Sequence, residues 1–139
     1  MFHILLVEDN KGDVLLIKEA LEESADNYEL SVVHDGHEAI LFLDKREQYE
    51  KAKTPSLILL DINLPKINGY EVLKYVKSHK DLRKIPVIML STSSSVRDIE
   101  NSYINYANCF ITKPADVSDY FKTIGLLNNF WLNTVKLSG

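Results

Sequence analysis

Five short apolar segments alternate along this chain with stretches whose apolar residues recur every three or four positions. The first, third and fourth segments are almost continuous in Ile, Leu, Val and Met, which is typical of parallel strands covered by helices on both faces. We therefore predict five strands, which are HILLVE (3–8), ELSVVHD (29–35), SLILLDI (56–62), PVIMLS (86–91) and NCFITK (108–113).

The stretches between and after these segments predict five amphipathic helices. They cover residues 13–24, 37–53, 69–79, 95–107 and 116–137. Because the connections are short, right-handed crossovers would build an open, doubly wound α/β fold with a five-stranded parallel sheet and five helices. We expect one domain over residues 1–139, with no output domain after the fifth helix.

Composition excludes several classes of protein. Apolar residues make up 45% of the chain and charged residues 26%, as in a compact domain with a substantial core. The net charge of −4 and the scattered lysines argue against a nucleic-acid-binding module. A single cysteine, Cys109, cannot form an internal disulfide, and no apolar run reaches the roughly 20 residues of a membrane span. The prediction is a cytoplasmic domain with no nucleic-acid or membrane partner.

Polar side chains stand where four of the predicted strands end. They are Glu8 and Asp9 after the first strand, Asp61 after the third, Ser91 and Thr92 after the fourth, and Lys113 after the fifth. Taken singly, each has an ordinary explanation as a helix cap, a turn residue or a solvated charge. Ligands of doubly wound sheets bind beyond the carboxyl ends of the strands, so the joint occurrence of these groups predicts a functional site.

Three carboxylates at one sheet edge require a cation. Like charges a few ångströms apart repel and raise one another's pKa values unless a counter-charge is present. Mg²⁺ suits such a site because it prefers oxygen ligands and retains several waters. It would also prepare Asp61 for phosphoryl transfer, with Lys113 and the Ser91 hydroxyl in contact with the phosphoryl group.

These residues lie in motifs that resemble the response-regulator receiver domain of two-component signalling, a flavodoxin-like fold. The motifs are LLVEDN, LILLDINLPKINGYEVL, PVIMLST and FITKP, and the resemblance covers essentially the whole chain. It implies that Asp61 accepts a phosphoryl group from a phosphohistidine of a histidine kinase or phosphotransfer protein. It also implies that Mg²⁺ is bound by Asp9, Asp61 and the backbone carbonyl of Asn63, with Glu8 acting through a water.

The same resemblance assigns a switch. Ser91 takes the position of the family's switch hydroxyl, with Thr92 beside it, and Lys113 that of its lysine. Phe110 matches the switch aromatic, although it could instead serve only in packing. The Lys113–Pro114 bond is expected to be cis. Two departures from the family pattern are Glu8, where aspartate is commoner, and YANC before the fifth strand, where Gly-Ala is frequent.

Three further segments look like those of stand-alone regulators paired with bacterial phytochromes. They are REQYEKAKTP, STSSS and the terminal FWLNTVKL. The fourth helix, fifth strand and fifth helix are predicted to report phosphorylation to a partner. Tyr103, Tyr106, Phe130 and Trp131 supply aromatic surface there for a homodimer or partner interface, or else Phe130 and Trp131 anchor the last helix.

Other functions fit less well. A phosphatase that uses a strand-end aspartate needs a carboxylate two residues later as general acid, and Asn63 stands there instead. A flavin-binding loop is disfavoured because Glu8 and Asp9 would repel a phosphate. We therefore expect a regulator rather than an enzyme, limited to self-catalysed phosphotransfer and autodephosphorylation. The alternative is a pseudo-receiver that works by docking or dimerisation without phosphorylation.

Overall fold

A computed structural model of the chain describes residues 2–24 and 27–138. Five parallel strands form one sheet in which the first strand lies between the second and the third. The strands are β1 (Phe2–Val7), β2 (Tyr28–Val33), β3 (Leu57–Asp61), β4 (Val87–Ser91) and β5 (Cys109–Thr112), in the spatial order β2-β1-β3-β4-β5. The helices are α1 (Lys11–Ser24), α2 (Gly36–Asp44), α3 (Gly69–Ser78), α4 (Val96–Ile104) and α5 (Val117–Asn128). The predicted α/β fold is confirmed.

The sheet separates two apolar cores, as the alternation of side chains along a strand requires. Leu5, Val7 and Leu60 face the core that includes residues of α2 and α3. Ile4 and Leu6 face the opposite core, which includes residues of α1 and α5. Strands β1, β3 and β4 are buried on both faces, which explains their nearly continuous apolar sequences.

This topology fixes where a site can form. The chain passes from β1 outward to β2 and then returns to β3 on the other side of β1, so the strand order reverses between β1 and β3. The carboxyl ends of both strands therefore open onto the crevice in which ligands of doubly wound folds bind. Glu8 follows β1 and Asp61 ends β3, which places both residues at this crevice.

The second helix is shorter than predicted, since α2 ends at Asp44 rather than near residue 53. Lys45 has a left-handed φ of 57° and donates its N–H to the carbonyl of Phe42, which ends the helix as a glycine often does. A 3₁₀ turn follows at Glu47–Tyr49, and Tyr49 packs against the core. The helical reading of the charged segment was wrong because these side chains favour helix without specifying where it stops.

The fifth helix also differs from the prediction of 116–137. Regular α-helix ends at Asn128, and a π-helical segment continues over Asn129–Thr134 before the backbone becomes extended at Val135. The remaining predicted bounds agree with the structure to within three residues. One of these shifts has a clear cause: Asp35 lies beyond β2 because its carboxylate accepts the Glu38 N–H at 2.8 Å and caps α2.

Among residues 2–24 and 27–138, no helix combines the length and the apolar character needed to cross a bilayer.

Candidate functional site

The ammonium of Lys113 lies among three carboxylates. Its Nζ is 2.5 Å from Glu8 Oε1, 3.0 Å from Asp13 Oδ2 and 3.4 Å from Asp61 Oδ2. The side chains of Lys113, Glu8 and Asp61 are 5%, 0% and 7% exposed, so water screens these charges little. The strand ends predicted to share one edge therefore do bring Glu8, Asp61 and Lys113 together.

Three carboxylates form a potential cation site beside the lysine. One oxygen each of Glu8, Asp9 and Asp61 lies within 4.8 Å of the others. Glu8 and Asp61 are buried and Asp9 is exposed, so the group opens to solvent on one side. Clustered carboxylate oxygens with access to water are the donors that Mg²⁺ and similar hard divalent ions prefer, so the residues present fit such an ion.

Local backbone contacts hold the buried carboxylates in place. Glu8 Oε2 accepts the N–H of Asn10 at 3.2 Å, and Asp61 Oδ1 accepts the N–H of Asn63 at 3.4 Å. Asn10 also caps α1, since its Oδ1 accepts the Asp13 N–H at 2.9 Å. Asn10 is therefore the residue that caps α1, whereas Asp9 belongs to the carboxylate cluster.

The low solvent exposure and the crowding of charges shift the pKa values of Glu8 and Lys113. Burial, followed by the neighbouring Asp61, raises the pKa of Glu8 to about 7 although Lys113 opposes the shift. Burial by itself would lower the pKa of Lys113, but Glu8, Asp13 and Asp61 outweigh it and raise that pKa above its ordinary value. The lysine therefore stays charged at neutral pH, while Glu8 is near its titration midpoint.

This raised pKa predicts how pH acts on the metal-free protein. The folded state holds a proton on Glu8 up to about pH 7, whereas the ordinary glutamate pKa is 4.5. Between these values the folded state binds more protons than the unfolded chain, so the contribution of Glu8 to the free energy of unfolding falls as pH rises. We expect a fall of roughly 1–3 kcal/mol.

Urea unfolding in the presence of EDTA, between about pH 5 and about pH 8, measures this effect. The Glu8→Gln variant should lack that part of the fall, because glutamine does not titrate. Identical pH slopes for Glu8→Gln and wild type would show that Glu8 is ionised in the folded state throughout this range.

The predicted hydroxyls occupy different environments at the end of β4. Ser91 is fully buried, its Oγ accepts the Ser93 N–H at 3.0 Å, and its carbonyl accepts the Lys113 N–H at 2.7 Å. The residue before it, Leu90, is the register partner of Asp61. Thr92 is exposed. Ser91 is thus placed beside the lysine backbone, and its hydroxyl, which accepts the Ser93 N–H, also carries one O–H donor.

Phe110 is partly buried and packs against the core that includes α2 and α3. Its backbone N–H donates to the hydroxyl of Tyr103 at 3.2 Å, which ties α4 to β5. Tyr106 and Phe130 are exposed, whereas Trp131 packs against the core beside α1 and α5. The position of Trp131 therefore fits a residue that anchors the last helix, and the position of Phe130 fits a residue that is available to a partner.

One expectation about the backbone is wrong. No peptide bond within the described part of the chain is cis, so the Lys113–Pro114 bond is trans. Trans is the intrinsically favoured isomer of a bond before proline. The lysine reaches Glu8 and Asp61 with this isomer.

Asp13 and Tyr120 belong to the site but were missed in the sequence. Asp13 contacts Lys113 through Oδ2, and its Oδ1 accepts the Tyr120 hydroxyl at 3.2 Å. Asp13 has the pattern of an ordinary acidic residue in the first turn of a helix, and Tyr120 that of an apolar position on α5. No local sequence pattern pairs Asp13 with Tyr120, although the start of α1 at Lys11 does place Asp13 in the first turn of that helix, near Glu8 and Asp9.

Comparison with known proteins agrees with this architecture. The family described as the response regulator receiver domain matches residues 4–125. Response regulator Rcp1 of Synechocystis sp. is 45% identical over 134 residues, which are 96% of this chain and 91% of Rcp1. The crystal structure of the Mn²⁺-bound form of Rcp1 has a TM-score of 0.95 at 43% identity and covers 100% of both chains.

A second solved structure is that of the phosphorylated cyanobacterial phytochrome response regulator RcpA. It has a TM-score of 0.95 at 46% identity and covers 99% of each chain. The predicted likeness to phytochrome-associated regulators is therefore confirmed. On the family match and these identities, the chain belongs to the response-regulator receiver domains of two-component signalling.

Proposed function

We propose that Asp61 is the phosphoacceptor of this regulator and that it takes its phosphoryl group from a phosphohistidine of a histidine kinase or a histidine phosphotransfer protein. The observation that carries this proposal is the position of Lys113, whose ammonium lies 3.4 Å from Asp61 Oδ2, with both side chains less than a tenth exposed. A buried carboxylate beside a fixed cation can accept a group whose added negative charge that cation balances.

Mg²⁺ is the proposed cofactor, held by Asp9, Asp61 and the Asn63 carbonyl, with Glu8 acting through a water. The carboxylate cluster of Glu8, Asp9 and Asp61 supports a divalent ion, and the relative Rcp1 has been crystallised with Mn²⁺. When bound, Mg²⁺ supplies positive charge that offsets the charge on the transferring phosphoryl oxygens.

In the proposed phosphoryl transfer, each side chain of the site has its own role. A carboxylate oxygen of Asp61 forms the new O–P bond while the P–N bond of the phosphohistidine breaks, and the imidazole nitrogen keeps the electron pair. Lys113 balances charge on the phosphoryl oxygens, and the O–H of Ser91 donates a hydrogen bond to one of them. Thr92, which follows Ser91 and is exposed, is proposed as a further contact of the phosphoryl group.

The output is proposed to be contact between proteins in the cytoplasm, made by the surface of α4, β5 and α5. Movement of Ser91 toward a phosphoryl group would act on Phe110, which Tyr103 ties to α4. Tyr103, Tyr106 and Phe130 are exposed on these elements or next to them and would contact a partner or a second copy. By likeness to RcpA, the proposed upstream partner is a kinase of the phytochrome class.

Intact-mass measurement after incubation with acetyl phosphate and Mg²⁺ tests the proposal. Wild type should gain the mass of one phosphoryl group, EDTA should abolish the gain, and Asp61→Asn should show none. Asp81→Asn is a matched control, because Asp81 is exposed and lies after α3, beyond the opposite end of the sheet. An unmodified wild type would favour the pseudo-receiver alternative, and a gain by Asp61→Asn equal to that of wild type would place the acceptor elsewhere.

A further inference from the structure

Asp13 bridges the site lysine and helix α5. Its Oδ2 lies 3.0 Å from Lys113 Nζ, and its Oδ1 accepts the hydroxyl of Tyr120 at 3.2 Å. Tyr120 is 3% exposed and belongs to the core between the sheet and α5. Asp13 is thus held by two contacts, one with the ammonium of Lys113, which follows β5, and one with the buried hydroxyl of Tyr120.

An ammonium has three N–H donors, and here three carboxylates surround it. Glu8 and Asp13 make the two short contacts, at 2.5 and 3.0 Å, while Asp61 is at 3.4 Å. With its two short contacts made to Glu8 and Asp13, the ammonium is held within 3.4 Å of Asp61 Oδ2. Lysine is a flexible chain ending in a point charge, so without the contact on the α1 side its ammonium would follow Glu8 alone.

We propose that Asp13 is a positioning residue for phosphotransfer: supported by Tyr120, it holds the Lys113 ammonium in the orientation that meets the phosphoryl group on Asp61. The inference rests on the proposed function of Asp61. It assigns to α1 and α5 a part in the chemistry, because Asp13 is in the first turn of α1 and Tyr120 is in α5. Asp13 acts through the lysine and is outside the carboxylate cluster assigned to the metal.

Acetyl phosphate kinetics with varied Mg²⁺ separate this role from metal binding. Asp13→Asn keeps the shape of the side chain and should lower the maximal rate of phosphorylation about tenfold, because misplacement of a charge by a fraction of an ångström is costly. The Mg²⁺ concentration at half-saturation should change less than about threefold, since Asp13 is not a metal ligand. Glu19→Gln is the control, because it removes an exposed acid from the same helix.

Tyr120→Phe tests whether the tyrosine works through Asp13. By itself it should lower the maximal rate about threefold, and combined with Asp13→Asn it should add nothing further, as residues acting in series do. Asp13→Glu should recover part of the rate lost in Asp13→Asn. A wild-type maximal rate in Asp13→Asn, or a Mg²⁺ requirement that rises as much as the rate falls, would overturn the positioning role.

A spectroscopic measurement decides the placement of the lysine independently of phosphorylation. The ammonium hydrogens of Lys113, observed through its ¹⁵N signal, should exchange slowly with water in wild type and in Glu19→Gln. In Asp13→Asn they should lose that protection and exchange rapidly. An unchanged signal in Asp13→Asn would contradict the inference even if Asp61 is phosphorylated. If wild type takes no phosphoryl group, the proposed function fails, whereas a loss of protection would still support the tie between Asp13 and Lys113.

Discussion

Replacing Lys113 with methionine is expected to lower the free energy of unfolding of the metal-free protein by about 3–5 kcal/mol. The methionine has a similar length but no charge, so Glu8 and Asp61 would remain buried without a cation. The side chains of these two acids are 0% and 7% exposed, which leaves little water to replace the lysine. Urea unfolding at neutral pH in EDTA measures the loss.

Two comparisons make this prediction specific. Lys18→Met removes an exposed lysine from α1 and should change the free energy of unfolding by less than about 0.5 kcal/mol. The loss in Lys113→Met should shrink at lower pH, because protonation of Glu8 removes one of the repelling charges. It should also shrink when Mg²⁺ is added, since a divalent ion can replace the missing positive charge. Equal stability of Lys113→Met and Lys18→Met in EDTA would contradict this description of the pocket.

Replacing Gly69 with alanine is expected to destabilise the protein by about 3 kcal/mol and to disturb Asp61. A Cβ at residue 69 would lie 2.2 Å from the carbonyl oxygen of Asp61 and 2.7 Å from the Cα of Ile62. Both neighbours are backbone atoms, so the end of β3 would have to move. The Gly69 N–H also donates to the Ile62 carbonyl at 2.8 Å, which holds the start of α3 against this strand.

Gly125→Ala is the matched control and should act in the opposite direction. Gly125 lies inside α5, and among residues 2–24 and 27–138 the one atom within 4 Å of an added Cβ would be Ser24 Cβ, at 4.0 Å. Alanine in that position should stabilise the protein by about 0.5–1 kcal/mol. Thermal unfolding measures both variants, and acetyl phosphate labelling reports on Asp61. Gly69→Ala with the stability and labelling rate of wild type would show that the β3–α3 junction is more adaptable than its contacts indicate.

The core of the site was predictable because it depends on topology. Parallel strands share one carboxyl edge, so the positions of Glu8, Asp61 and Lys113 at strand ends were sufficient to bring them together once the strand segments were identified. The burial that gives these groups their chemistry follows from the same strands, which are almost entirely apolar up to the acidic residues.

Other features depend on contacts that the local sequence does not specify. Asp13 contacts Lys113 and Tyr120, which are 100 and 107 residues away in the sequence. No local pattern around any of these residues predicts the contacts. Helix α2 ends at Lys45, whose backbone is in the left-handed conformation. Glycine is the residue that usually predicts such a helix end, and the sequence has lysine at this position. The π-helical segment at Asn129–Thr134 likewise continues a helical pattern that the sequence alone could not distinguish from α-helix.

A phosphoryl group on Asp61 would be an acyl phosphate, and its reactivity identifies the residue that carries it. An acyl phosphate reacts with hydroxylamine to leave a hydroxamate on the residue that carried it, and peptide mass spectrometry then identifies that residue. After phosphorylation with acetyl phosphate and Mg²⁺, we predict a single hydroxamate, at Asp61, which is absent when EDTA is present during phosphorylation. A hydroxamate at Glu8, Asp9 or Asp13 instead, or a phosphoryl group that hydroxylamine does not remove, would contradict the account.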